Sequence, residues 1–164
     1  MKKNLFLVCL FMFGTLASCQ CSSKKSADNA VVNTTETPVP LGDPFILLHD
    51  GVYYAYGTHS NKGIEFYTSD DLLTWKYGGL ALNKEDSWAD RWFWAPEIYF
   101  VNGKFYMYYS ADEHICVAVA DSPTGPFVQD KKEPMIADEK CIDNSLFIDD
   151  NGTPYLSFVR FNDG

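Results

Sequence analysis

The sequence predicts an all-β fold of repeated antiparallel sheet units, of the β-propeller type, and three observations predict it. First, residues Asp43 to Tyr56, Ala95 to Tyr109 and Asp143 to Phe158 are versions of one pattern: an apolar run, a tight turn, then an aromatic-rich run. Second, the turn glycines Gly51, Gly103 and Gly152 recur about 50 residues apart, a period typical of propeller blades. Third, helical periodicity is weak everywhere except in the first twenty residues, which do not belong to the fold.

That leading segment is read first. Lys2 and Lys3 precede an apolar run from Leu5 to Leu16 that is short for a bilayer span and ends in small residues, as a secretory signal does. Leu16-Ala17-Ser18-Cys19 resembles a bacterial lipoprotein lipobox, which implies cleavage before Cys19 and lipid on its thiol; a plain secretory signal is the alternative. Residues 19–40, polar and closing on Pro38-Val39-Pro40, read as a flexible tether. The expected organisation is a signal peptide at 1–18, a lipidated tether at 19–40 and a folded domain at 41–164. The expected location is the cell envelope, with Gln20 compatible with sorting to the outer membrane.

The first unit continues past its hairpin with a third strand from Ile64, a turn at Ser69 to Leu72 and an edge strand starting near Trp75. The second unit does likewise, from Ile115 through Asp121 and Ser122 to Phe127, so each unit is expected to hold four short strands. Two units fit between Asp43 and about Lys132, and a third begins at Cys141 and reaches only its first hairpin by Gly164. Because closing the ring removes exposed sheet edges, about two and a half blades predict part of a longer protein.

Composition bounds the partners. A net charge of −9 over 164 residues argues against nucleic acid, which demands a basic surface. An aromatic content of 16% suits a carbohydrate partner as well as a β-rich core. Of the five cysteines only Cys116 and Cys141 belong to the domain beyond the tether. An oxidising compartment permits a bridge between them, and two buried free thiols are the equal alternative. No cysteine–histidine spacing suggests zinc.

The innermost strand of a propeller blade starts at the central cavity. Asp43 and Asp143 immediately precede such strands, and the matching place in the second unit is Ala95, preceded by Trp92, Phe93 and Trp94. Two carboxylates beside an indole platform are the equipment of glycoside hydrolysis, in which one acid activates water and another protonates the leaving oxygen. His59, at the end of the first inner hairpin, is a further candidate to line the cavity. Turn capping is the competing reading for both aspartates, and blade-to-blade packing for Trp94.

The motifs Gly42-Asp43-Pro44, Asp50 to Tyr54 and Ser69 to Trp75 resemble the opening blade of glycoside hydrolase family 43. Trp94 to Ile98 resembles that family's second-blade motif, Asp121 to Phe127 its outer turn, and Ile142-Asp143 with Leu146 to Gly152 its third-blade start. The resemblance covers about Pro40 to Gly164 and implies a five-bladed propeller that hydrolyses oligo- or polysaccharide, usually arabinose- or xylose-containing, with inversion. It implies that Asp43 is the general base and that Asp143 orients the general acid and raises its pKa. It places the general acid, a glutamate, in a later blade beyond residue 164, so the chain as written is expected to lack turnover; Glu97 is expected to be structural. It implies no cofactor, and a metal ion in the central channel is not assigned to any residue. A glycan-binding lipoprotein without catalysis is the alternative.

Overall fold

A computed structural model describes residues 38–161, all of them within the compact unit Thr34–Gly164. The expected signal peptide, Cys19 and the tether as far as residue 37 lie outside the described residues. The described chain is all-β and forms the expected blades. β1 (Gly42–His49), β2 (Val52–Thr58), β3 (Gly63–Ser69) and β4 (Lys76–Asn83) make one antiparallel sheet in chain order. A short 3-10 turn, Lys84–Asp86, leads to β5 (Trp94–Val101), β6 (Lys104–Ala111) and β7 (His114–Ala120), the second sheet. β8 (Cys141–Ile148) and β9 (Pro154–Arg160) form the third.

The inner hairpins close as their turn residues dictate. Asp50-Gly51 and Asn102-Gly103 both take two successive left-handed conformations, with φ of 49° and 79° and of 51° and 79°. That is the turn whose twist matches a right-handed hairpin, and a short polar residue before glycine adopts it at least cost.

Each first strand carries one residue too many. Asp43 and Pro44 together face Gly57, Ala95 and Pro96 face Tyr109, and Asp143 and Asn144 face Phe158, so all three hairpins share a β-bulge at the same place. The first bulged residue is left-handed every time: φ is 44° at Asp43, 42° at Ala95 and 54° at Asp143. Asp43 and Asp143 therefore lie inside their strands, not ahead of them.

The second unit departs from the expected four strands. Its fourth segment is reduced to single bridges: Val128 pairs with Val119 of β7, whereas Phe127 pairs with Leu82 of β4 in the first sheet. Pro126 has no N–H to extend a ladder, and the Phe127 N–H is taken by the Ala81 carbonyl at 2.8 Å. Phe127 is fully buried there, so this segment stitches the first two sheets together.

The core lies between those sheets and holds Tyr56, Ile64, Phe66 and Leu82 against Ile98, Phe105, Met107 and Tyr109. Its polar atoms are partnered. The Tyr56 hydroxyl donates to the Pro123 carbonyl at 2.5 Å, and the Tyr109 hydroxyl bonds Ser87 Oγ at 2.7 Å and Gln129 Oε1 at 3.0 Å. Cys116 and Cys141 are both buried free thiols. Burial pushes the Cys116 thiol up to about 12, so it stays protonated. The His49 ring meets Phe100 and Phe105 edge-on, each at 4.8 Å.

Gly57 is where the first bulge tests most sharply. A Cβ there would lie 2.6 Å from the Gly42 carbonyl oxygen and 2.8 Å from Leu41 Cβ, whereas one at Gly51 meets nothing. Gly57→Ala is expected to lower stability by about 1–3 kcal/mol through overpacking, and Gly51→Ala by about 1–2 kcal/mol through its left-handed backbone alone. Urea unfolding of the two variants checks both losses; a wild-type midpoint in Gly57→Ala would contradict the tight bulge.

Candidate active site

The three bulges converge. Asp43, Pro44 and Phe45 from β1, Ala95, Pro96 and Glu97 from β5, and Asp143, Asn144 and Ser145 from β8 line one open pocket. A bulge bends its strand and re-aims the side chain it carries, so the two aspartates reach a common space although one hundred residues separate them. Left-handed backbone at a non-glycine residue costs of order 1–3 kcal/mol and persists only where neighbours hold it. The neighbours are identifiable. The Ala95 N–H donates to Thr58 Oγ1 at 3.0 Å, and the Asp143 N–H donates to Ser110 Oγ at 3.2 Å. Thr58 also donates to Asp43 Oδ2 at 3.0 Å.

Glu97 also lines the pocket. Counting pleat alternation from the start of the strand fails here because the bulge inserts one residue and shifts every later side chain to the other face. The Glu97 carboxylate accepts the Tyr99 hydroxyl proton, and the same hydroxyl accepts the Leu146 N–H at 3.1 Å. Tyr99 thereby ties β5 to β8. Its burial, followed by its bond to Glu97, raises the phenol from 10.0 to about 12.

Asn144 was also missed. It is 3% exposed, and neither its Oδ1 nor its Nδ2 has a partner among the described residues. In the other two bulges a proline fills this place, and Pro96 is equally buried. An unpaired buried amide costs on the order of 1–3 kcal/mol.

The remaining candidates lie outside the pocket lining. Trp92 and Trp94 stack on each other at 5.8 Å with 12° between their planes. Arg91 covers the Trp92 ring at 4.3 Å and is held by Asp112 at 2.7 Å. Trp94 neighbours the pocket through Ala95 and pairs in register with Ser110, and Trp92 is 42% exposed. His59 follows Thr58 in sequence, but its Nδ1 is 2.6 Å from Glu65 Oε2 and its ring is half exposed. Among the described residues no group of three or more His, Cys, Asp or Glu is placed to hold a metal ion.

The model of the glycosyl hydrolases family 43 matches residues 35–164. A xylosidase/arabinosidase 43A of Humicola insolens is 40% identical over 146 residues, covering 74% of this chain and 44% of that protein. An extracellular exo-α-(1→5)-L-arabinofuranosidase of Cellvibrio japonicus is 27% identical over 145 residues, with 75% and 41% covered. Among solved structures, an endo-1,4-β-xylanase from Bacteroides thetaiotaomicron superposes with a TM-score of 0.72 at 52% identity, covering 77% of this chain and 45% of that one. The chain spans less than half the length of these relatives.

The Tyr99 bridge carries a pH signature. Its phenol is raised on folding, so the stability it brings is present in full below the unfolded value of 10.0 and is lost as pH climbs towards about 12. Tyr56 and Tyr109, pushed up by burial, act in the same direction. The urea midpoint is expected to fall steadily above pH 10, and Tyr99→Phe to remove part of that fall. A midpoint independent of pH across this window would contradict the bridge.

Proposed function

Because the chain belongs to glycoside hydrolase family 43, we propose that it serves an inverting glycosidase acting on O-glycosidic bonds of arabinose- or xylose-containing oligo- or polysaccharides. One observation carries the reading: two carboxylates, Asp43 and Asp143, sit on repeat-equivalent left-handed bulges and line a single pocket. Asp43 removes a proton from water as the water oxygen attacks the anomeric carbon. The glycosidic C–O bond breaks as the leaving oxygen takes a proton from a glutamate beyond residue 164. Asp143 orients that glutamate and, as a nearby anion, raises its pKa. Glu97 is not the donor in this reading, since its carboxylate is committed to accepting the Tyr99 proton. The xylosidase and arabinosidase relatives support the choice of sugars.

The stacked, partly exposed Trp92 and Trp94 favour a second reading, glycan binding without turnover. The lipobox-like Leu16 to Cys19 supports a lipid anchor on Cys19 and a place in the cell envelope.

The protein expressed from its own gene is to be tested on arabinan, xylan and the aryl glycosides of arabinofuranose and xylopyranose, with the product anomer followed by proton NMR. Release of the inverted anomer is expected, and Asp43→Asn is expected to cut kcat by about 10²–10⁴-fold while glycan binding persists. Asp43→Asn at the wild-type rate would remove the base assignment. Binding with no wild-type turnover would favour the second reading. Cys19→Ala is expected to move the protein from the membrane to the soluble fraction; unchanged membrane retention would overturn the anchor.

A further inference from the structure

Thr58, the last residue of β2, makes two hydrogen bonds whose directions constrain each other. An amide N–H only donates, so at the 3.0 Å contact with Ala95 N the threonine oxygen is the acceptor. A hydroxyl has a single proton, and here it goes to Asp43 Oδ2, also at 3.0 Å. The amide of the second sheet therefore fixes the polarity of the hydroxyl, and the hydroxyl holds one oxygen of the Asp43 carboxylate.

The next repeat supplies an internal control. Ser110 lies opposite Trp94 as Thr58 lies opposite Gly42, each beside its bulge. Its hydroxyl accepts the N–H of the following sheet's bulged residue, Asp143, at 3.2 Å. The bulge of its own strand pair carries Ala95, which offers no carboxylate. Ser110 and Thr58 thus share the job of holding the next bulge, and donation to an acid is added only where the bulge carries Asp43. Fold support alone accounts for the first bond and leaves the second unexplained.

We propose that Thr58 is a positioning residue for the hydrolysis: it pins Asp43 Oδ2 and leaves Oδ1 to receive the proton of the attacking water. This rests on the reading of Asp43 as the base. Asp43 is exposed, and among the described residues the Thr58 hydroxyl is the hydrogen-bond partner of its side chain. A charge-assisted bond from a backbone-anchored hydroxyl selects one rotamer and keeps the free oxygen in line for attack. Because the same hydroxyl bonds Ala95, the base is set relative to β5 and not only to its own strand.

The test is a double-mutant cycle in the protein expressed from its own gene, with Thr58→Val and Thr58→Ser made in wild-type and Asp43→Asn backgrounds. Thr58→Val is expected to lower kcat on the aryl glycosides by about 10- to 100-fold, the range of one hydrogen bond to a charged group. KM is expected to stay within about 3-fold, since substrate binding is not what the bond serves, and Thr58→Ser to recover most of the lost rate. In the Asp43→Asn background, Thr58→Val is expected to cost no further activity. Wild-type kcat in Thr58→Val, or an equal loss in both backgrounds, would overturn the proposal. Asp43→Asn with undiminished turnover would instead overturn the base reading on which it rests. Should Thr58→Val not fold, Thr58→Cys keeps the shape with a weak donor; its kcat is expected to fall below that of Thr58→Ser, and equality of the two would overturn the assignment.

Discussion

A bulge at the start of each first strand is the constraint on which the rest of the site depends. It adds one residue, turns the backbone left-handed and frees an N–H from the ladder. That N–H needs an acceptor, and the acceptor comes from the preceding sheet: Thr58 for Ala95 and Ser110 for Asp143. The local irregularity is therefore also the joint between blades. The strained residue cannot relax without breaking an inter-sheet bond, and the sheets cannot slide without releasing the strained residue. Asp143 is held by this reciprocity, and Asp43 by the second bond of Thr58, from the hydroxyl to Oδ2.

The three sheets do not share support equally. The first two enclose the core and are stitched by Phe127, while Gln129 joins the segment between them to Tyr109 of β6. That glutamine is 3% exposed; its Oε1 accepts from Trp88 N at 2.8 Å and its Nε2 donates to the Glu133 carbonyl at 2.6 Å. The third sheet is a hairpin whose Phe147, Tyr155 and Val159 are 65%, 54% and 51% exposed. Specific bonds fasten it to its neighbour: Cys141 N to the Glu113 carbonyl at 2.9 Å, Asp143 N to Ser110, and Leu146 N to Tyr99. All three run from backbone amides of β8 to the second sheet, and they bracket the acid that this strand brings to the pocket.

The same pocket shows how one repeat position takes two chemistries. Asp43, Ala95 and Asp143 share a backbone conformation, and the residue after each is Pro44, Pro96 or Asn144. Proline suits a place where the ladder needs no donor. The buried, unpartnered amide of Asn144 is the exception, a departure from internal consistency of the kind that natural proteins concentrate near functional sites. Glu97 adds a third carboxylate, but its bond from Tyr99 gives it the role of a brace between β5 and β8.

Much of the architecture was legible in the sequence because it is set locally. The Asp50-Gly51 and Asn102-Gly103 turns, the alternating apolar runs and the spacing of about 50 residues follow from short-range sterics and pattern, and they led to the all-β propeller. The pairing of Asp43 with Asp143 was readable too, since a repeat makes positions equivalent. What sequence alone left undetermined were features that depend on a neighbouring sheet. The bulge is invisible to a count of alternation, which is why Asp43 and Asp143 read as lying ahead of their strands and not inside them. The fourth strand of the second unit was lost because Phe127 found the Ala81 carbonyl in another sheet. The roles of Thr58 and Ser110 likewise appear only once β2 meets β5 and β6 meets β8. Local chemistry determined which segments become strands and turns; only tertiary packing decided which donor meets which acceptor, because those partners lie tens of residues apart and are brought together by the stacking of whole sheets.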